Sequence, residues 1–266
     1  VTHPEFAAHG SFEHLRLGRL PSKNKPTQLR LAKYLTPRDL PEPPASMDLA
    51  SAVASWPMYD NDDLGDCTCA AAGHMVEAWS AAVGGIVVPT GAAVQGFYWE
   101  TGDPPSATGQ AGGPTDTGRV ETDVLDYWRK NPLGTHAIDA YAAVNVKDLS
   151  EVIAGAWIFG GLYLGVSLPV TAQRQTVWDV VDPSLQGDSA PGSWGGHAID
   201  VVSYGSSSQG FTVEVVTWGA LMQMTEAFWD AYVEEAYAIL SPDWLGAKGT
   251  PAGFDLATLQ ADLAAL

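Results

Sequence analysis

The apolar pattern of this 266-residue chain changes period once, near residue 160, and that change limits the folds open to it. Before it, apolar residues recur at helical spacing. Cys67–Val83 (CTCAAAGHMVEAWSAAV), Glu121–Lys130 and Lys147–Phe159 read as helices, the first with Asp66 at its N-cap and closed by Gly84-Gly85. After it come short β-branched and aromatic runs with Gly, Ser and Pro between them. LYLGVSLP from Leu162, HAIDVVSYG from His197, GFTVEVVTWG from Gly210 and EAYAILSP from Glu235 read as antiparallel strands. A short helix is expected over Met224–Glu235, and a loop over Gly102–Gly118. Helices first and strands second make an α+β chain with a helical N-terminal half and an antiparallel β-sheet C-terminal half.

Three segments are expected. Residues 1–46 carry seven prolines and little apolar periodicity, with one short helix near Gln28–Leu35, and read as an extended arm. Residues 47–254 form the folded body, and residues 255–266 (DLATLQADLAAL) a helical tail. Charge divides the same way. The arm holds seven Lys/Arg against four acids, whereas the other 220 residues hold six against 27. So acidic a body repels phosphate, which argues against nucleic acid as its partner. No window approaches 18 unbroken apolar residues, so no membrane span is expected, and VTHPEFAAHG shows no signal-peptide pattern.

The chemistry is concentrated around Asn61-Asp62-Asp63-Leu64-Gly65-Asp66-Cys67-Thr68. A cysteine in the first turn of a helix feels the positive end of the macrodipole, which favours thiolate and primes a nucleophile. Such a nucleophile needs a base, and His197 in GGHAID, 130 residues downstream at the start of an apolar strand, is the candidate. Cys69 points to another face of the helix and reads as core. His74 reads as a core or surface histidine and His136 as structural. No zinc spacing is present, and Asp60, Asp62, Asp63 and Asp66 lack the alternation of a calcium loop, so no metal site is expected.

These pieces, in this order, resemble the papain-like cysteine peptidases from about Leu40 to Ser241. LPEPPASMD is similar to the segment that opens the mature enzymes, Gly65-Asp66-Cys67 to their Gly-Ser-Cys, and GGHAIDVVSYG to their histidine strand. GRVETDVLDYWRKNPLG and VVTWG match two further segments. The resemblance implies a two-lobed fold and a thiol hydrolase, most simply a peptidase acting on peptide or isopeptide bonds without a cofactor. It makes Cys67 the nucleophile and His197 the proton shuttle. Asn61, one methylene shorter than the family's glutamine, would hold the oxyanion with the Cys67 N–H. Trp194 and Trp218 would be cleft walls beside His197.

The third catalytic position departs from the family. Aligning Trp218-Gly219 puts Val216 where the family has asparagine, with Thr217 as the remaining orienter of His197, and Val216→Asn is expected to raise turnover. This departure and the basic arm support an alternative: a catalytically silent papain-like module serving as a structural or binding protein in an assembly, such as a virus particle. Peptide or protein substrate, or a protein partner, are the expected ligands. The arm, anchored by residues such as Phe6, Phe12, Leu15, Leu17 and Leu20, is expected to reach a neighbouring subunit or partner rather than plug its own cleft, so that an oligomer or larger assembly forms through it.

Overall fold

The computed structural model describes residues 12–23, 28–36, 39–102, 105–106, 109–208, 210–249 and 253–264. Phe6, and residues 265–266 of the expected tail, lie outside them. In chain order the elements are β1 (Met47–Asp48), α1 (Cys67–Ala82), α2 (Gly91–Glu100), α3 (Glu121–Trp128), β2 (Ala140–Ala143), α4 (Leu149–Phe159), β3 (Leu162–Leu168), β4 (Val177–Trp178), β5 (Gly195–Ser207), β6 (Gly210–Thr217), β7 (Ala220–Thr225), α5 (Glu226–Tyr232), β8 (Val233–Leu240), α6 (Pro242–Lys248) and α7 (Leu256–Ala264). This is the α+β order read from the sequence.

α1 is apolar on almost every side, and a helix with no polar face belongs inside. It is buried from Cys67 through Ser80 and packs on β5. The Trp79 indole N–H reaches the carbonyls of Phe159 and Gly160, both at 3.0 Å, which ties α1 to the end of α4. α4 starts where Asp148 accepts from the Ser150 and Glu151 N–H groups and ends on Gly160 at φ 68°, a left-handed position that glycine takes at little cost. The strands run β2-β8-β3-β5-β6-β7-β4, with β1 on β5. All pair antiparallel except β4 with β7.

Some expected boundaries move. The helix expected over Met224–Glu235 shortens to Glu226–Tyr232, because residues up to Thr225 pair with β6 and the Thr225 hydroxyl then caps the Phe228 N–H at 3.2 Å. Near Gln28–Leu35 only a 3-10 turn forms, over Leu31–Tyr34. α2 went unread because Gly91 and Gly96 weaken its propensity; Thr90 starts it by accepting from the Ala93 N–H. The tail helix α7 packs on the 3-10 turn, where the Tyr34 hydroxyl donates to Asp262 at 2.7 Å.

Candidate active site

Cys67 is the first residue of α1, with its Sγ 3.4 Å from the Ala198 backbone N of β5. Helix and sheet therefore meet at the sulfur, and the residue after His197 holds it there. Asp66 takes the N-cap position without capping through its side chain. Its Oδ1 instead accepts from Asn61 Nδ2 at 3.1 Å, and the same amide donates to the Leu64 carbonyl at 3.2 Å. Both Asn61 donor hydrogens are thus used inside the loop. The expected oxyanion role is not set up in this geometry, which leaves the Cys67 N–H.

His197 is fully buried, and its Nε2 lies 2.9 Å from Thr217 Oγ1. Strand register explains why Thr217 and not Val216 reaches it. Asp200 stands opposite Val216, so those two share a face, and the period of two puts Thr217 on the face of Ile199 and His197. Nδ1 of His197 has no hydrogen-bond partner among the described residues. Beyond Thr217 the chain turns tightly into β7 through Trp218 (φ 45°) and Gly219 (φ 69°). Positive φ at both central positions is the requirement of a twisted two-residue hairpin, and it costs a non-glycine residue about 1–2 kcal/mol. What the strain places is the indole of Trp218, stacked on the His197 ring at 4.0 Å between centroids. Trp194 stacks on Trp218 in turn, at 5.4 Å.

The described residues of the arm lie on the body. Phe12 stacks on Trp218 at 5.6 Å, and the Trp218 indole N–H donates to the Arg16 carbonyl at 3.1 Å. Gly18 accepts from the Arg119 N–H at 2.7 Å, Arg19 donates to the Gly196 carbonyl at 3.1 Å, and Leu20 donates to the Arg119 carbonyl at 2.8 Å. Residues 18–20 therefore run between the Gly118–Arg119 segment and the start of β5, across Cys67. The expectation that the arm avoids its own cleft is corrected for the described residues. The physical reason is backbone-to-backbone approach: a Cβ on Gly18 would stand 1.8 Å from the Gly65 carbonyl oxygen, and one on Gly196 2.4 Å from the Arg19 oxygen.

Burial sets the direction of the protonation equilibria here. Burial pushes the Cys67 thiol up to about 12, with the charges of Asp66 and Glu121 adding to it, while the Ala198 and Gly18 N–H groups pull the other way. Burial, together with the positive charges of Arg19 and His74, lowers His197 to about 3. At neutral pH the covered pair is thiol and neutral imidazole. Desolvation by burial opposes the helix dipole, whose effect is about 0.3–1 kcal/mol at exposed sites, and so favours the thiol over the expected thiolate. Cys69 is also a buried free thiol, raised by burial. His74 bonds the Pro57 carbonyl at 2.8 Å and His136 bonds Asp243 at 2.7 Å, each within the fold.

Sequence reading missed Arg19, Glu121 and Glu235, which join beside Cys67. The available signal was glycine beside three charged or catalytic positions: Gly18-Arg19, Gly118-Arg119 and Gly195-Gly196-His197.

No protein-family model matches the sequence. No curated protein sequence matches it either. Solved structures do. Xylellain, a cysteine protease from Xylella fastidiosa, is 13% identical over 85% of this chain and 96% of its own, with a TM-score of 0.61. proCathepsin B S9 from Trypanosoma congolense is 12% identical over 86% and 87%, at 0.58. The digestive procathepsin L 3 of Tenebrio molitor is 11% identical over 89% and 78%, at 0.55. The fold of this chain is that of the papain-like cysteine proteases.

Proposed function

We propose that the chain is a thiol hydrolase acting on peptide or isopeptide bonds, held closed by its own N-terminal arm. The observation that carries this reading is the junction at Cys67: a thiol at a helix start, held against the N–H of Ala198, the residue that follows a histidine hydrogen-bonded to a threonine hydroxyl. With Nε2–H donating to Thr217 Oγ1, the Nδ1 lone pair of His197 is free to take the Cys67 proton. The thiolate then attacks the substrate carbonyl carbon, the Cys67 N–H faces the developing oxyanion, and the imidazolium returns its proton to the leaving amine. Trp218 shields the His197–Thr217 contact from water, which strengthens it. Two of the similar structures carry pro-form names, which supports reading the arm as a prosegment.

The test uses the full chain with Gly18→Ala, which displaces the arm from Cys67. Hydrolysis of a mixed fluorogenic peptide library should appear, and should vanish when Cys67→Ala or His197→Ala is added. A variant whose Cys67 reacts freely with iodoacetamide but cleaves no peptide would replace this reading with the silent binding module.

A further inference from the structure

Arg19 enters the cleft side-on, and its guanidinium disappears into the wall of the body. Its side chain is 1% exposed. Nε donates to Glu235 Oε1 at 2.9 Å, Nη2 donates to the same oxygen, and Nη2 also reaches Glu234 Oε2 at 2.9 Å at the pocket's edge. Glu121 Oε1 lies 4.0 Å from Nε, and the Tyr237 hydroxyl fixes Glu235 by donating to Oε2 at 2.6 Å. The floor is Gly165, in the middle of β3, where every other residue but Ser167 carries a large side chain and all are buried. A Cβ there would stand 2.3 Å from Arg19 Nε. Glycine in the interior of a buried strand weakens it and leaves a hole, unless something else approaches closely.

Without a cation this hole is costly. Glu121 is fully buried, and neither of its oxygens has a hydrogen-bond donor among the described residues. Glu235 is itself 9% exposed. Two neighbouring enclosed carboxylates repel each other unless a positive charge lies between them. Among the described residues it is the arm that supplies this charge, through Arg19. An ordinary structural ion pair would need neither a glycine floor nor a partner delivered by a segment lying across the reactive thiol. Arg19 follows Gly18 directly, and its N–H bonds the residue before His197. The pocket therefore opens one residue away from the Cys67 sulfur.

We propose that this pocket is a specificity site for an arginine side chain, that the arm fills it as a stand-in, and that peptides presenting arginine there are the preferred ligands of the cleft. The guanidinium bonds Glu235 Oε1 through Nε and Nη2 and stands 4.0 Å from Glu121, so it offsets both carboxylates by charge, whereas a leucine would leave Glu235 Oε1 without these donors. The inference rests on the hydrolase reading only in taking the occupant to come from a substrate, so its test reads labelling, not turnover.

The experiment uses the full chain with Arg19→Ala, which empties the pocket, and peptidyl epoxides that carry arginine, citrulline or leucine at each position in turn. Covalent capture of Cys67 is followed by intact mass. Citrulline keeps the shape and removes the charge. At one position the arginine probe should label roughly 10- to 100-fold faster than the citrulline probe, the scale of a charged hydrogen bond. Adding Glu235→Gln should bring that ratio toward one. If Arg19→Ala does not fold, Gly18→Ala loosens the arm and allows the same comparison. Equal labelling by arginine and citrulline probes at every position, or no labelling by any, overturns the proposal. Arginine preference without peptide turnover would keep the pocket and remove the hydrolase. Turnover without arginine preference would do the reverse.

Discussion

Gly18→Ala in the full chain should raise the rate at which iodoacetamide labels Cys67 at pH 7 by at least roughly 50-fold. The added methyl would stand 1.8 Å from the Gly65 carbonyl oxygen and 2.6 Å from its Cα, and backbone on both sides cannot yield, so the arm must move. Water then returns to the sulfur. The covered thiol is held at about 12 against an ordinary 9.0, so relief of burial raises the thiolate fraction by about three powers of ten. Nucleophilicity falls as pKa falls, which returns somewhat under half of that gain on a logarithmic scale. Cys69 stays enclosed and serves as the internal control. The pH profile separates access from ionisation. In the unaltered chain the labelling rate should climb about tenfold per unit from pH 6 to 10, because the thiol titrates above that window. In Gly18→Ala it should bend to a plateau inside the window. A variant that keeps the unaltered chain's slow rate and unbending profile would show that the arm does not govern the thiol.

Thr217→Val, measured in the Gly18→Ala background, should lower kcat by roughly 10²-fold, short of the ~10⁴ lost when a buried charged orienter is disabled. The hydroxyl gives one neutral hydrogen bond at 2.9 Å, so it holds the imidazole less firmly than an ion would. Thr217→Ser keeps that bond and should retain most of the rate. Val216→Asn, expected from the sequence to repair the site, should not raise kcat. Its amide would lie on the Asp200 face, and the Asp200 carboxylate, fully buried with neither oxygen hydrogen-bonded among the described residues, would take it as a partner there. A clear rise in kcat with Val216→Asn would mean that the β5–β6 register has been misassigned by one. An unchanged rate in Thr217→Val would leave His197 without an orienter.

Local pattern was enough for the segregated halves, because a helix declares itself within two turns and a strand within five residues. The start of α1 at Cys67 and the strand through His197 were legible for that reason, and the two tryptophans beside His197 followed from their neighbours. α2 and β7 were not. Glycines blurred the first, and the second is a strand only because β6 lies beside it.

By itself the sequence determined which residues could do chemistry here: a cysteine where a helix begins, a histidine where a strand begins, and an indole on the turn that follows Thr217. Tertiary structure decided how they stand. Whether Thr217 or Val216 meets the imidazole depends on a register between strands, and a slip of one residue reverses every face. Whether the thiol is charged depends on enclosure, which no stretch of ten residues encodes. The arm's path was decided by contacts with glycines 100 or more residues away in the chain, Gly18 against Gly118 and Arg19 against Gly165 and Gly196. Its charge would have drawn it to any acidic surface, but this path is open only because Gly18, Gly118, Gly165 and Gly196 carry no Cβ where the chains meet.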